Sequence, residues 1–434
     1  WDKDDCADLG LIKVDLLGLG MLAALEEAIP LIRTHEGVEV DLAHLPPDDP
    51  AVYAMLQRAD TIGVFQVESR AQMATLPRMK PERFYDLVVE VALIRPGPIV
   101  GKMVHPYLNR RAGREPVRYA HPSLEPILAR TLGVPLFQEQ LLRIAMTVGG
   151  FTGGEAEELR RAMGFKRSVE RMAAIETRLR AGMAARGITG AAADEIVQGI
   201  TSFALYGFPE SHAASFALIA YASAYLKAHH PAAFTCALLN CWPMGFYHPA
   251  TVVKDAQRHG VTVWPIDVTQ SDWPCTIEAR GVRLGLRYVR GLREEAARRL
   301  VAARPVASVA DAAQRGGLRR DELDALAHAG AFATLGLARR EALWQAAAAE
   351  RDGASLLARV RPAPGTAPLV PMTPFEETAA DYATAGLTAG PHVMAHLRPG
   401  LAAAGVCAAR GLAAVPHGAP VRVAGHVIVR QRPG

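Results

Sequence analysis

Lys13 and Asp15 are the first residues of this sequence whose spacing could do chemistry. In Leu11-Ile-Lys-Val-Asp-Leu-Leu-Gly-Leu-Gly20 they share one face of an alternating strand with Leu17, while Ile12, Val14 and Leu16 take the other. A lysine and a carboxylate projecting from a strand end suit catalysis; the same aspartate equally suits a helix cap. Ser211 and His212 sit in the first turn of a helix read over 209–229, where free N–H groups and the helix dipole attract phosphate. A plain cap and a core histidine are the alternatives there. Between Arg160 and Arg186 stand eight basic residues (Arg160, Arg161, Lys166, Arg167, Arg171, Arg178, Arg180, Arg186) against Glu170 and Glu176, a local net of +6 that points to a polyanion. A further basic run, Arg95 to Arg118, nets +5 and reads as a solvated loop.

Helices must position most of these groups. Apolar periodicity predicts helices over 21–29 (stopped by Pro30), 81–93, 122–131, 136–149, 154–163, 167–186, 190–204 and 209–229, the last ended by Pro231. In the last of these, Phe216, Ile219 and Leu226 form the expected core stripe. Residues 246–278 read as a connector with a strand at Gly260-Val-Thr-Val-Trp-Pro265. Leu284 to Val301 then forms an apolar lead-in, a Gly291-Leu292 hairpin and a helix carrying Ala296. That shape resembles a helix-hairpin-helix, which offers backbone N–H groups to a DNA phosphate without reading sequence. Arg293 stands where the motif has its second glycine. Two helices flank Ala329-Gly-Ala-Phe332, Arg361 to Pro374 is a Pro-rich linker, and Val421 to Val429 alternates as a strand.

With 434 residues, half of them hydrophobic, the chain has room for two to four cored domains. A net charge of +4 demands no anionic partner by itself. Cys6, Cys236, Cys241, Cys275 and Cys407 have neither metal-ligand spacing nor an even framework, which predicts a reduced, cytoplasmic protein. No apolar run reaches membrane-spanning length and no signal peptide is visible. Trp1 in place of Met, and a strand that runs out near Gly434, read as cuts through domains, so an internal piece of a longer protein is expected.

The order of motifs is more specific than any one of them. Lys13-Val-Asp15-Leu-Leu-Gly18, Gly63-Val-Phe-Gln-Val-Glu-Ser69, Arg95-Pro-Gly-Pro98, Phe137-Gln-Glu-Gln140, Leu159-Arg-Arg-Ala-Met163, and Tyr206-Gly-Phe208 with Ser211-His-Ala-Ala214 follow one another. The series resembles the C-family bacterial DNA polymerases, the DNA polymerase III alpha-subunit group, over nearly the whole chain. Phe208-Pro-Glu-Ser-His212 stands where replicative subunits usually have Asn-Lys before Ser-His. With Asn240-Cys-Trp-Pro-Met-Gly-Phe-Tyr-His-Pro-Ala250 and Val253-Lys-Asp-Ala-Gln-Arg-His-Gly260, it makes the chain most similar to the error-prone, DnaE-like branch of ImuC type. No Gln-x-x-Leu/Met-Phe clamp-binding pentapeptide is found between the hairpin region and Val421, in keeping with that branch.

The resemblance implies a multi-domain, mainly α fold: fingers and a helix-hairpin-helix, with the C-terminal piece of an α/β palm at the start and the first strand of an OB-fold at the end. In residues this means the end of the palm over 1–30, fingers over 31–245 and a connector over 246–280. The helix-hairpin-helix region covers 281–360, a linker and pre-OB segment 361–420, and the truncated OB domain 421–434. It implies a DNA-directed DNA polymerase acting in damage-induced mutagenesis and translesion synthesis through a two-Mg²⁺ site. A replicative alpha subunit and a non-catalytic DNA-binding relative are the alternatives. Of the family's three aspartates only Asp15 matches, as metal ligand, with Lys13 balancing charge near the incoming nucleotide. Arg160, Arg161, Lys166, Ser211 and His212 take nucleotide-binding roles, although Phe165 stands where lysine is usual; Arg167, Gly291, Leu292 and Arg293 take DNA-binding ones. Pro209 and Glu210 depart from the replicative pattern and are expected to weaken phosphate attraction at the pocket. The implied partners are primer-template DNA, deoxynucleoside triphosphates, mutagenesis-cassette accessory proteins and, indirectly, the sliding clamp, with no membrane. With one aspartate of three, the chain alone is expected to be inactive.

Overall fold

Short-range caps start many of the helices. Asp49 accepts the amides of Ala51 and Val52 ahead of a helix whose first residue is Pro50. Ser69 with Gln72, and Thr373 with Glu376, form reciprocal capping boxes. The computed structural model describes residues 3–12, 14, 16–94, 101–163, 169–204, 208–349 and 368–427. Its helices, in chain order, begin with α1 (Lys3–Asp8), α2 (Leu19–Glu36), α3 (Pro50–Gln57), α4 (Arg70–Met79), α5 (Phe84–Leu93) and α6 (Gly101–Arg111). Next come α7 (Glu125–Leu128), α8 (Gln138–Gly149), α9 (Gly153–Met163), α10 (Val169–Ala184), α11 (Gly190–Ala204), α12 (Glu210–His229), α13 (Pro231–Asn240) and α14 (Pro249–Arg258). After a small sheet follow α15 (Glu294–Ala302), α16 (Val309–Gly316), α17 (Arg320–His328), α18 (Arg339–Ala349), α19 (Pro374–Thr384) and α20 (Val393–Ala403). No described helix is long and apolar enough to cross a membrane.

The chain divides into two compact units, residues 1–25 with 40–230, and residues 26–39 with 231–434. The first has two cores. One gathers α3, α4, α5, α6 and α12 around Leu56, Leu76, Leu87, Tyr107 and Phe137. The other gathers α7 to α11 around Leu141, Leu159, Leu179 and Ile200. Helix α12 packs along α5 through Ala213, Ala217, Ala220 and Ala224, each at most 1% exposed. Of the predicted stripe Leu226 is fully buried, whereas Phe216 and Ile219 are half-buried at the margin of the alanines, whose small side chains let two helix backbones approach. Helix α5 carries two buried carboxylates. Asp86 is paired with Arg111, whereas among the described residues neither oxygen of Glu90 has a hydrogen-bond partner, and burial pushes its pKa up to about 8.

The second unit holds the sheet: β1 (Val263–Trp264), β2 (Thr276–Glu278) and β3 (Gly281–Arg283). Strand β3 lies between the others, parallel to β1 (Val263 opposite Val282) and antiparallel to β2 (Ile277 opposite Val282). Ala279 and Arg280, both at positive φ, make the two-residue turn.

Several expectations change. Helix α2 runs through Pro30 to Glu36, because Ile32 extends its buried stripe of Met21, Leu25 and Ala28 while the proline faces outward. Pro231 follows the end of α12, as predicted, but it also opens α13, at the first-turn position that tolerates a missing N–H. The predicted helix over 122–131 is a short α segment flanked by 3₁₀ turns, with Pro126 inside it. Around Val421 no described residue forms a regular strand; Val423 makes a single parallel bridge to Cys407. The described residues of the opening stretch are likewise not a strand, and Lys13 and Asp15 lie outside the described residues.

Candidate functional site

The first unit is built on α12, and the motifs read from the sequence meet along it. At its C-terminal end Lys227 donates to the Ile62 carbonyl (2.9 Å) and pairs with Asp60 (3.4 Å). In the middle, Ser223 Oγ accepts the Phe65 amide at 3.1 Å. Towards the N-terminus a ladder of rings forms. Phe65 meets Phe216 edge-on at 5.3 Å, Phe216 meets His212 at 4.1 Å, and His212 meets Phe208 at 5.0 Å. Gly18 closes the far end of that ladder. A Cβ there would stand 3.4 Å from the Phe65 ring and 3.8 Å from Ile219, and its φ of +91° is one that glycine adopts readily. Residues from the opening stretch, the Gly63–Ser69 motif and the Phe208–His212 motif thus share one packed column.

The start of α12 is also tied to the start of α8. Gln138 N–H donates to the Phe208 carbonyl at 3.0 Å, and Glu210 N–H donates to the Glu139 carboxylate at 2.9 Å. The side chain of Glu210 accepts the Tyr85 hydroxyl at 3.0 Å and lies 3.6 Å from Arg130, whose guanidinium covers the Tyr85 ring at 3.7 Å. The carboxylate expected to face the nucleotide is therefore held by an arginine and a tyrosine. Tyr85 and Arg130 had no signal in the sequence, since they lie far from Glu210 along the chain. Gln140, from the same motif as Glu139, is structural: its amide bridges Leu136, Phe137, Ile127 and Thr131.

Ser211 is exposed and His212 half-buried. Among the described residues, neither their amides nor the His212 ring nitrogens have a partner, so the first turn of α12 keeps two free N–H groups for an anion.

The arginines divide differently. Arg160 is bidentate on Glu157 (2.8 and 2.7 Å) and Arg161 reaches the same carboxylate at 3.3 Å, holding its pKa down at about 2. Both side chains stay largely exposed, at 48% and 71%. No contact among the described residues joins them to Ser211 or His212. Arg178 pairs with Glu155, and Arg180 with Glu176 and Asp194. Over 153–195 the eight basic residues face seven acidic ones, so the +6 of the shorter window is largely balanced by acids just outside it. Lys166 and Arg167 lie outside the described residues.

In the second unit the hairpin runs from Val289 to Arg293, preceded by a 3₁₀ turn over Leu286–Tyr288 in place of a full helix. Leu292 is buried and plugs the turn. Gly291, at φ +86° and exposed, sits at the apex, and among the described residues its N–H has no partner. Arg293 needs no glycine conformation, at φ −75° and ψ 137°. Its guanidinium is bidentate on the buried Glu322 (2.8 and 2.9 Å), which also accepts its amide at 3.1 Å. Desolvation works against Glu322's charge, yet Arg293 and the Arg319 amide outweigh it and bring the pKa down to about 2. The cation and amide assigned to DNA at position 293 are thus engaged internally, and Arg290 and Gly291 form the exposed tip.

Comparison with known proteins finds two family models along the chain. The model of the bacterial DNA polymerase III alpha subunit finger domain matches residues 21–187, and a helix-hairpin-helix motif matches residues 260–342. Proteins named error-prone DNA polymerase are similar along all of this chain. Identity is 53% for that of Anaeromyxobacter dehalogenans (strain 2CP-C), 54% for that of Nocardia farcinica and 50% for that of Alkalilimnicola ehrlichii. The chain spans 40%, 39% and 43% of their respective lengths.

Proposed function

The chain belongs to the bacterial DNA polymerase III alpha-subunit family, in its error-prone branch, and from that premise we propose that it is the fingers and hairpin-bearing part of an error-prone DNA-directed DNA polymerase. The observation that carries this reading is the column of family motifs along α12, ending at a helix N-terminus with free N–H groups. In this reading the triphosphate of an incoming nucleotide meets the amides of Ser211 and His212. Arg160 and Arg161 exchange Glu157 for phosphate oxygens, a partner suited to their bidentate forks. The reaction is attack by a primer 3′-hydroxyl on the α-phosphorus, with pyrophosphate leaving. The names of the similar proteins support error-prone synthesis over a replicative role.

Two Mg²⁺ ions would stabilise the charge on attacking and leaving oxygens, and such hard ions need several oxygen ligands. Asp15 is the single matched carboxylate of this chain, and one carboxylate does not fit a two-ion site. The ions therefore belong to a site that this chain does not complete. The test is primer extension past an abasic site by the full-length polymerase, wild type against Asp15→Ala. Extension is expected to fall at least about 100-fold with primer binding retained. A variant extending at the wild-type rate would sink the reading.

A further inference from the structure

Beside the hairpin tip of the second unit lies a loop that presents aromatic rings to solvent. Between α13 and α14, Trp242 is 39% and Phe246 75% exposed, four residues apart in one loop. Large rings left in water forgo the burial that ordinarily stabilises them, so two in one short loop mark a contact surface. The loop is continuous with the hairpin. The Trp242 and His248 rings meet edge-on at 5.9 Å. His248 Cε1 and Arg290 Nη2 stand 3.3 and 2.8 Å from the point where a Cβ on Gly386 would lie, so ring and guanidinium border the same spot. The base of the loop is pinned to the same element, because Arg287 donates to the Asn240 carbonyl at 2.6 Å. Trp242, His248 and the Arg290 guanidinium thus lie along one edge beside the Gly291 amide, with Phe246 exposed in the same loop; one Arg290 nitrogen donates to the Ala383 carbonyl at 3.2 Å and the group stays exposed.

We propose that this edge binds unpaired DNA, with Trp242 and Phe246 stacking on successive bases while Arg290 and the Gly291 amide hold the backbone phosphate beside them. Every base has a π-face, so aromatic platforms beside a cation bind single strands with little sequence preference. A duplex buries its base faces and offers this edge phosphates alone. A protein partner would use the same rings for their apolar area, without needing the phosphate donors at the tip. The inference rests on the reading above that the hairpin meets DNA, and it adds a preference for single strands.

The test uses the 434-residue chain with fluorescently labelled oligo(dT) and, separately, a blunt duplex of equal length. Trp242→Ala with Phe246→Ala should weaken oligo(dT) binding about 10- to 100-fold, as expected for losing one or two stacked bases. Duplex affinity should change less than about twofold. Trp242→Leu with Phe246→Leu, which keeps apolar bulk without a full aromatic face, should lose most of the same affinity. Arg290→Ala should weaken both ligands and lower the salt slope by about one. Unchanged oligo(dT) affinity, an equal loss on both ligands, or full rescue by the leucines would each overturn the proposal. If the wild type binds duplex but not oligo(dT), the single-strand preference alone falls; if it binds neither, the hairpin–DNA reading falls with it.

Discussion

Arg111 in the first unit and Arg293 in the second make the same bond and serve different ends. Arg111 is bidentate on Asp86 (2.8 Å to each oxygen) and also donates to the carbonyls of Met79 and Lys80, so it closes the end of α6 onto α4 and α5. Arg293 is bidentate on Glu322 and belongs to the hairpin itself. One clasp supports the core of the first unit; the other shapes the hairpin and withdraws a cation from its tip. Both arginines stood among the basic residues read for charge or for DNA contact. The lesson is that local charge counts overstate what is free to meet a polyanion, because a buried carboxylate that stays ionised, as Asp86 and Glu322 do, draws in a cation.

The largest test of this contrast is Arg111→Ala. It leaves Asp86 buried and unpaired, and should cost the first unit about 3–5 kcal/mol. Hydrogen exchange should show loss of protection in α5 and α6, with the second unit unchanged; protection retained in α5 would remove the clasp from the account. Glu322→Gln comes next, at about 2 kcal/mol, and its effect should be confined to α15, α17 and the hairpin. Its pH dependence has a definite sign. The folded pKa of Glu322 is depressed from 4.5 to about 2, so its stabilisation is complete above pH 4.5 and fades as pH falls towards 2. Unfolding of the second unit followed from pH 6 to 2 should converge for wild type and variant; a gap that widens on acidification would contradict the pairing. The smallest effect is expected at the exposed rim. Glu210→Lys opposes Arg130 and removes the Tyr85 acceptor, costing about 1 kcal/mol in the first unit. If this carboxylate mainly orients the turn, nucleotide affinity in the full-length polymerase should change no more than about threefold. A tenfold gain would restore direct repulsion of phosphate as its role.

What could be read in advance follows the range of the forces involved. The span of α11 agrees with the helix predicted over 190–204, and α8, α9 and α12 begin within a residue or two of their predicted starts. Periodicity and caps act over a turn or two, which makes such boundaries legible. Pro30 misled because a proline's cost to a helix depends on what the following turn buries, and Ile32 is fully buried. The alanine stripe of α12 was missed because alanine is nearly silent in a hydrophobic pattern; only the approach of α5 makes it core. Glu322 had a faint signal as the third residue of a capping box begun at Arg319, but nothing local tied it to Arg293.

By itself, then, the sequence determined the family, the helical character and the series of motifs, because these reside in residue identity and near-neighbour spacing. Tertiary structure alone decided which charges and rings remain available. It drew Glu210 to Tyr85 and Arg130 and Arg293 to Glu322, tied Arg290 to the carbonyls of Ala383 and Thr384, and left the amides of Ser211, His212 and Gly291 without partners among the described residues. Salt bridges and hydrogen bonds form at about 3 Å through space whatever the separation along the chain, so their partners cannot be counted in a linear window.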